Sequence, residues 1–195
     1  MCIKTYLGYR KIAFLLIGEK LTIEIRLLNI KEYQHKKLKF EYETPGYLEL
    51  KQTSLSFTLI YQKYTTPQLK CFEDELVGEW LETPVLYGAF VDDNLAGIIE
   101  GSKESWNNRF RISNLLIFKP YRQLHIGSTL LQKMIEHAKT LNTRMVILEA
   151  QSCNIPAIKC YYQNGFKIIG FDMYCYSNHD IENHEIRIEM GYEIK

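Results

Sequence analysis

The chain lacks most of the features that assign a sequence to a class at sight. Its five cysteines, Cys2, Cys71, Cys153, Cys160 and Cys175, form no CxxC pair, and an odd count in 195 residues argues against a disulfide framework or zinc knuckle. Free, buried thiols in a reducing cytoplasm are expected instead. His35, His137, His179 and His184 have no metal-ligand spacing with one another or with the cysteines, so no metal is assigned. Gly-x-Ser-x-Gly and Walker sequences are absent, which disfavours hydrolase and nucleotide-triphosphatase chemistry. The apolar run from Ile12 to Ile17 is too short for a signal-peptide core or a membrane span. Charge of one sign is not in excess either. The 24 Lys and Arg against 23 Asp and Glu give +1, which removes the broad basic footprint of a sequence-tolerant nucleic-acid binder.

What is present is average apolar content, 46%, and an aromatic surplus of 14 Tyr, 9 Phe and 2 Trp. Together these exclude disordered, collagen-like and coiled-coil classes and suggest a pocket or interface that needs rigid amphipathic surface. The length fits one domain, residues 21–195, behind an N-terminal extension of residues 1–20.

Leu21, Ile23, Ile25 and Leu27 alternate with polar residues and read as a half-buried strand. The charge-rich stretch Lys31 to Glu43 is expected to be helical until Pro45-Gly46 stops it. Residues 47–83 are the least legible, with one strand expected where Leu55, Phe57, Leu59 and Tyr61 alternate. From Val85 the pattern is regular. A hairpin (Val85 to Val91, Leu95 to Glu100) is followed by a strand with two buried faces, Ile112 to Phe118. Next comes an amphipathic helix, Gly127 to Leu141, with Leu130, Leu131, Met134, Ile135 and Ala138 on one stripe. A strand from Met145 to Leu148, a helix opened by Pro156 and two strands, Phe166 to Phe171 and Glu185 to Met190, complete a mixed α/β sheet.

Leu115-Leu116-Ile117 leads through Lys119, Arg122 and Ser128 into the amphipathic helix. A strand that turns into a helix N-terminus aims backbone N–H groups at one point, which favours an anion such as a phosphate. The residues also resemble something more specific. Arg122-x-x-His125-x-Gly127 is similar to the acetyl-CoA pyrophosphate loop of the GNAT superfamily of N-acetyltransferases, where a Gly usually stands at the position of His125. The block Asn154-x-x-Ala157-x-x-Cys160-Tyr161-x-x-x-Gly165-Phe166 resembles the same superfamily's second signature, with Cys160 in place of a Phe. The resemblance covers roughly residues 84–190. Glu100, Trp106-Asn107, Glu149-x-Gln151 and Gly170-Phe171-Asp172-x-Tyr174-x-Tyr176 are similar to streptothricin acetyltransferases within it.

This resemblance implies a GNAT fold: a mixed central sheet of six to seven strands, flanking helices, and a splayed parallel strand pair holding acetyl-CoA as co-substrate. It implies that Leu115, Leu116, Ile117, Arg122, Gln123, Leu124, His125, Ile126, Gly127, Ser128 and Asn154 bind the cofactor. Backbone groups at Leu115 to Ile117 would take the pantetheine arm and polarise the thioester carbonyl. A lysine-like amine is protonated at pH 7, and stripping its proton costs about 4 to 5 kcal/mol, so the transfer needs a base. Glu149, at the end of an apolar strand, and Glu100, at the end of a hairpin strand, are the two candidates. Glu100 has a second reading, with Trp106 and Asn107, in recognition of a cationic substrate. Tyr161 is the matching acid for the departing thiolate. The acceptor implied is a small cationic amine, first the β-lysine amine of a streptothricin-type antibiotic. A protein N-terminus or polyamine-like amine is the second reading, and a non-catalytic CoA-binding module, motivated by His125, the third. Partners are limited to that small molecule and a second copy of the chain, with no nucleic acid and no membrane, in the cytoplasm.

The near-zero net charge is a cancellation. Glu73, Asp74, Glu75, Glu79, Glu82, Asp92, Asp93 and Glu100 occupy residues 71–102 with no Lys or Arg among them. Lys119, Arg122, Lys133, Lys139 and Arg144 stand against Glu136 alone in residues 119–144. An acidic half for a cationic amine and a basic half for an anionic cofactor suit an enzyme with oppositely charged substrates.

Overall fold

The structure, a computed structural model, describes residues 22–195; the expected N-terminal extension, Cys2 and the apolar run Ile12 to Ile17 lie outside them. The chain runs β1 (Ile23–Leu27), a single helical turn α1 (Ile30–Tyr33), β2 (Lys37–Gln52), β3 (Phe57–Glu75), β4 (Val85–Val91), β5 (Asn94–Glu104) and β6 (Arg109–Ile117). It continues with a 3-10 turn at Lys119–Tyr121, α2 (Ile126–Thr140), β7 (Met145–Gln151), α3 (Ile155–Gln163), β8 (Lys167–Asp172) and β9 (Arg187–Glu193). Seven strands form one sheet in the order β1-β4-β5-β6-β7-β9-β8, while β2 and β3 pair only with each other. Every neighbouring pair in the sheet is antiparallel except β6 and β7.

The regular half of the sequence folds as its periodicity dictates. The stripe of α2 buries Ile126, Leu130, Leu131, Met134, Ile135 and Ala138 against Ile99, Phe110, Ile112, Val146 and Leu148 of the sheet. Each such side chain contributes about 1.5 to 3 kcal/mol on leaving water. Residues alternating with these, Leu86, Ile98 and Leu116, join Leu28, Leu38, Leu76 and Val77 in a second, smaller cluster. The parent sheet is thus covered on both faces.

Two expectations are corrected. Lys31 to Glu43 is not a helix: after α1 the chain enters β2 and runs extended as far as Gln52. Leu38, Phe40, Tyr42 and Thr44 alternate with Lys37, Lys39, Glu41 and Glu43, a period of two that suits a pleat and not a helix. Pro45 does not stop the element. It sits where the register jumps from Thr44 opposite Gln68 to Gly46 opposite Lys63, an irregularity that bends a long two-stranded ribbon. The strand expected near Leu55 to Tyr61 is present as part of β3, which is 19 residues long. The strand expected to have two buried faces is present as the second half of β6, where Ile112 packs in the first cluster and Leu116 in the second. The second correction concerns the thiols, which are not all buried. Among the cysteines Cys153 is buried, but Cys71 is exposed on the ribbon.

The ribbon docks on the parent domain through a few specific contacts. Tyr42 Oη donates to Gln151 Oε1 at 2.7 Å, and Leu48 N–H donates to the Ser152 carbonyl at 2.9 Å. Lys70 pairs with Glu185 at 2.8 Å, and Tyr47 stacks on His184 with ring centroids 3.6 Å apart. Among the described residues no helix is long and apolar enough to cross a membrane.

Two imidazoles make stability pH-dependent. Burial pushes His137, in contact with Tyr87 and Phe110, below its usual 6.5, with Lys133 adding repulsion. Burial does the same to His184, with Lys70 adding repulsion. A group whose pKa is lower folded than unfolded takes its proton more readily when unfolded. The stability it contributes is complete above the unfolded value and is lost as pH falls through the folded one. Thermal melts should therefore show Tm falling from pH 7.5 to 5.5, and a His137→Gln, His184→Gln double variant should show a flatter profile over that range.

Candidate active site

The parallel pair β6 and β7 stays in register for three positions, Arg109 with Met145, Phe110 with Val146 and Arg111 with Ile147, and then separates. Past that fork the edge of β6 that faces β7 has no strand partner among the described residues. A cleft of about 410 Å³ opens there. One wall is Ser113, Asn114 and Leu115 of β6; the other is Glu149, Ala150 and Gln151 of β7, continued by Asn154, Ala157 and Tyr161 at the start of α3. The ribbon and the loop after β8 close the remaining side with Phe40, Phe72, Glu73, Asp74 and Tyr176.

The fork carries a ladder of charges. Arg111 reaches Glu104 at 2.5 Å, Glu149 at 3.5 Å and Glu189 at 3.5 Å. Arg187 reaches Glu149 at 3.6 Å and Asp172 at 3.5 Å. Glu149 is therefore not the lone carboxylate its sequence context suggested. Two guanidinium groups and the hydroxyl of Tyr176, which donates to its Oε1 at 3.2 Å, orient it at the cleft. Burial pushes the Tyr176 phenol well above its ordinary value, reinforced by the Glu149 charge. Tyr161, 8% exposed, is pushed up in the same way, chiefly by burial and then by Cys160 and Glu149. Both phenols remain protonated donors across the working pH range.

The loop beyond β6 fits an anionic ligand. Gln123 and His125 both hold the left-handed backbone, with φ of 64° and 60°. That region favours Gly, so the Gly usual in related sequences at the position of His125 answers a backbone demand. His125 meets it at a strain of about 1 kcal/mol, with its side chain exposed to solvent. α2 starts at once, so its first N–H groups point out of its N-terminus. At Gly127 a Cβ would meet only Cys160 Sγ at 3.7 Å and Ile117 Cγ1 at 3.8 Å, ordinary contacts. Protein packing does not require a glycine there, which leaves that space for a ligand's close approach. Asn164 clamps the start of α2 to the end of α3 by donating to the Ser128 hydroxyl at 3.0 Å and to the Cys160 carbonyl at 2.8 Å.

Other expected residues are already engaged. Arg122 donates to the Ile117 carbonyl at 3.0 Å and the Glu41 carbonyl at 2.7 Å, and Lys119 pairs with Glu41, so these two cations staple the loop to the ribbon. The Asn154 side chain accepts from Ala157 N–H and caps α3. The structure brings Glu149, Tyr161, Leu115 and Asn154 to one cleft but leaves Glu100 out of it: Glu100 is 1% exposed and beneath the cleft wall. Trp106, 81% exposed, and Asn107 lie in the β5–β6 turn, which adjoins the paired end of β6 and β7 and not the end where they separate. Trp106 shares a separate, shallow cleft with Trp80, and Asn107 donates to Glu104. Of the eight acidic residues of the 71–102 segment, only Glu73 and Asp74 line the main cleft.

Sequence reasoning missed Phe40, Phe72 and Asn114, and cited Gln151 and Tyr176 only as part of a resemblance. Asp74 and Glu73 had a signal, in the acidic run without a base. Phe40 had none, because its segment reads as charged and its place is set by pairing 32 residues away, ring on ring with Phe72 at 4.6 Å.

Known proteins converge on this arrangement. The model of the Acetyltransferase (GNAT) family matches residues 55–166. Streptothricin acetyltransferase A of Bacillus subtilis (strain 168) is 31% identical over 142 residues, 70% of this chain and 80% of that protein. A streptothricin acetyltransferase of Escherichia coli is 30% identical over 49% of this chain and 54% of that one. Among solved structures, nourseothricin acetyltransferase superposes with a TM-score of 0.74 at 23% identity, covering 89% of this chain and 99% of that one. A Bacillus anthracis str. Ames protein described as a streptothricin acetyltransferase, in complex with acetyl coenzyme A, gives 0.70 at 23% identity, covering 91% and 100%. Those two structures share the fold. With the splayed strands, the turn into α2 and the family match on one page, the chain belongs to the acetyltransferase (GNAT) family.

Proposed function

We propose that the chain moves acetyl from acetyl-CoA to a primary amine of a small cationic molecule, with the β-lysine amine of a streptothricin-type antibiotic as the acceptor. The observation that carries this reading is the lining of the cleft: carboxylates of Glu73, Asp74 and Glu149 and rings of Phe40, Phe72, Tyr161 and Tyr176, with no Lys or Arg. Such a lining concentrates a cation and gives it aromatic faces to rest on. The streptothricin acetyltransferases among its relatives supply the acceptor's identity. The free thiols at Cys71, Cys153, Cys160 and Cys175 support a cytoplasmic setting.

When bound, acetyl-CoA supplies an acetyl group activated as a thioester. The open edge of β6 at Leu115 to Ile117 offers backbone donors and acceptors to an extended, amide-bearing arm, as a sheet edge does to an added strand. The turn Gln123 to Ser128 and the N-terminus of α2 receive the phosphates. Glu149 takes the proton of the incoming ammonium, directly or through water, lowering an obstacle of about 4 to 5 kcal/mol at pH 7. Arg111, Arg187 and Tyr176 hold it in place. Tyr161, whose burial keeps the phenol protonated, donates a hydrogen bond to the departing sulfur. His125 holds a left-handed backbone, a conformation Gly adopts freely, which supports a loop path like the one a Gly would take.

A thiol-release assay with acetyl-CoA and a panel of streptothricin, lysyl peptides and polyamines tests the reading. Turnover on streptothricin is expected to exceed the others, and acetyl-CoA binding without turnover on any amine would refute it. Tyr161→Phe should lower kcat by about a hundredfold while acetyl-CoA affinity, read by calorimetry, stays within error. Asp74→Asn combined with Phe72→Ala should raise the acceptor KM about tenfold and leave the KM for acetyl-CoA in place.

A further inference from the structure

Glu100 is 1% exposed and touches a wall of the cleft without lining it, and every hydrogen bond its side chain accepts among the described residues comes from one of two segments. Its Oε1 accepts from the Val77 N–H at 2.6 Å; its Oε2 accepts from the Ser113 hydroxyl at 2.5 Å and from Asn114 Nδ2 at 3.0 Å. No Lys or Arg is among these partners. A buried carboxylate is costly unless its lone pairs are filled, so its place is dictated by donors that the fold sets around it.

Both segments are irregular where Glu100 holds them. Opposite Glu100 and Gly101, β6 carries one extra residue: Glu100 pairs with Asn114 and Gly101 with Ile112, so Ser113 bulges. A bulge bends its strand and increases twist, and this one lies two residues beyond the last register pair of β6 with β7. Gly101 belongs to the same device, since a Cβ there would sit 2.4 Å from Phe110 Cε1 and 2.8 Å from the Arg111 carbonyl. Val77 is a β-branched residue at φ 59°, a conformation that such side chains avoid. It ends the stretch that leaves β3, three residues after Asp74 and five after Phe72, which are two of the residues facing the acceptor.

We propose that Glu100 is a positioning residue that sets the width of the cleft, fixing with one carboxylate both the bulge that turns β6 away from β7 and the root of the ribbon that carries the acceptor wall. It neither takes the amine's proton nor binds the cation, since it lines no part of the cleft. The proposal rests on the acetyl-transfer reading above. Failure of the wild-type protein to bind or use acetyl-CoA counts against that reading, whereas the variants below are compared with a working wild type.

Three variants test it: Glu100→Gln, Glu100→Leu and Ser113→Ala. In Glu100→Gln the amide oxygen still accepts from Val77 N–H, and Asn114 can turn its own oxygen toward the new NH2 group. Glu100→Leu removes all acceptors. The expected result is graded. Glu100→Leu weakens acetyl-CoA binding by calorimetry about tenfold and raises the acceptor KM by a similar factor, while Glu100→Gln stays within about threefold of wild type on both. The acid limb of the kcat pH profile keeps its midpoint in the Gln variant. A role confined to stability would lower Tm in the Leu variant and leave both affinities where they were, which overturns the proposal. A Gln variant as impaired as Leu, or one that has lost the acid limb, also overturns it, returning Glu100 to proton transfer. Should Glu100→Leu not fold, Ser113→Ala decides: acetyl-CoA affinity lowered threefold or more, about the low end of what one lost hydrogen bond gives, supports the clasp, and an unchanged affinity refutes it.

Discussion

Everything that makes this chain more than a seven-stranded sheet follows from two parallel strands parting after three paired residues. β6 and β7 cannot separate without leaving backbone groups on β6 unpaired, and such groups are costly unless a partner arrives. The unpaired edge at Leu115 to Ile117 is thus both a liability and a receptor for an extended ligand. The fork is held shut on one side by Arg111, which touches Glu104, Glu149 and Glu189 on three neighbouring strands. On the other side the Ser113 bulge drives it open. The cleft between the strands brings Glu149 and Tyr161 together on rigid elements, the kind of support the proposed group transfer requires.

The charge distribution is finer than two opposite halves. The cations nearest the cofactor loop, Lys119 and Arg122, are spent on Glu41 and on carbonyls, so they shape the loop and the ribbon together. Asp93 is tied to Arg26 at the far edge, Glu82 accepts from Ser105 N–H, and Glu100 is sealed inside. The carboxylates that line the cleft are the local set of Glu73, Asp74 and Glu149. Net charge over a segment reports on solvation and steering, while recognition is decided by the few carboxylates that the fold turns inward.

That difference marks how far the sequence could be read. Local physics made α2, α3, the hairpin and the turn at Arg122 to Ser128 legible, because a stripe, a cap or a left-handed position is written within a dozen residues. The family likeness added Glu149 and Tyr161, which the structure brings to one cleft. The ribbon was not legible. Its charges suggested a helix, and its true period of two acquires meaning only when Phe40 meets Phe72 and Tyr42 meets Gln151, contacts 32 and 109 residues apart. Glu100 was misplaced for the same reason: a carboxylate at a strand end is normally solvated, and nothing local shows that Val77, Ser113 and Asn114 surround it. Trp106 drew a binding role from the family resemblance, yet it sits on a turn at the paired end of β6 and β7, outside the main cleft.

The ribbon is a self-contained piece of architecture. β2 and β3 exchange ladder hydrogen bonds only with each other and rest on the parent sheet through a handful of side chains and one backbone bond at Leu48. Replacing Phe72 or Asp74 therefore removes no ladder hydrogen bond of the seven-stranded sheet, whereas Phe40 also packs against the second cluster, which holds Leu86, Ile98 and Leu116 of that sheet. Selection can revise which molecule is received while the apparatus that activates the acetyl group is inherited unchanged, so new acceptors are within reach of few substitutions and little lost stability.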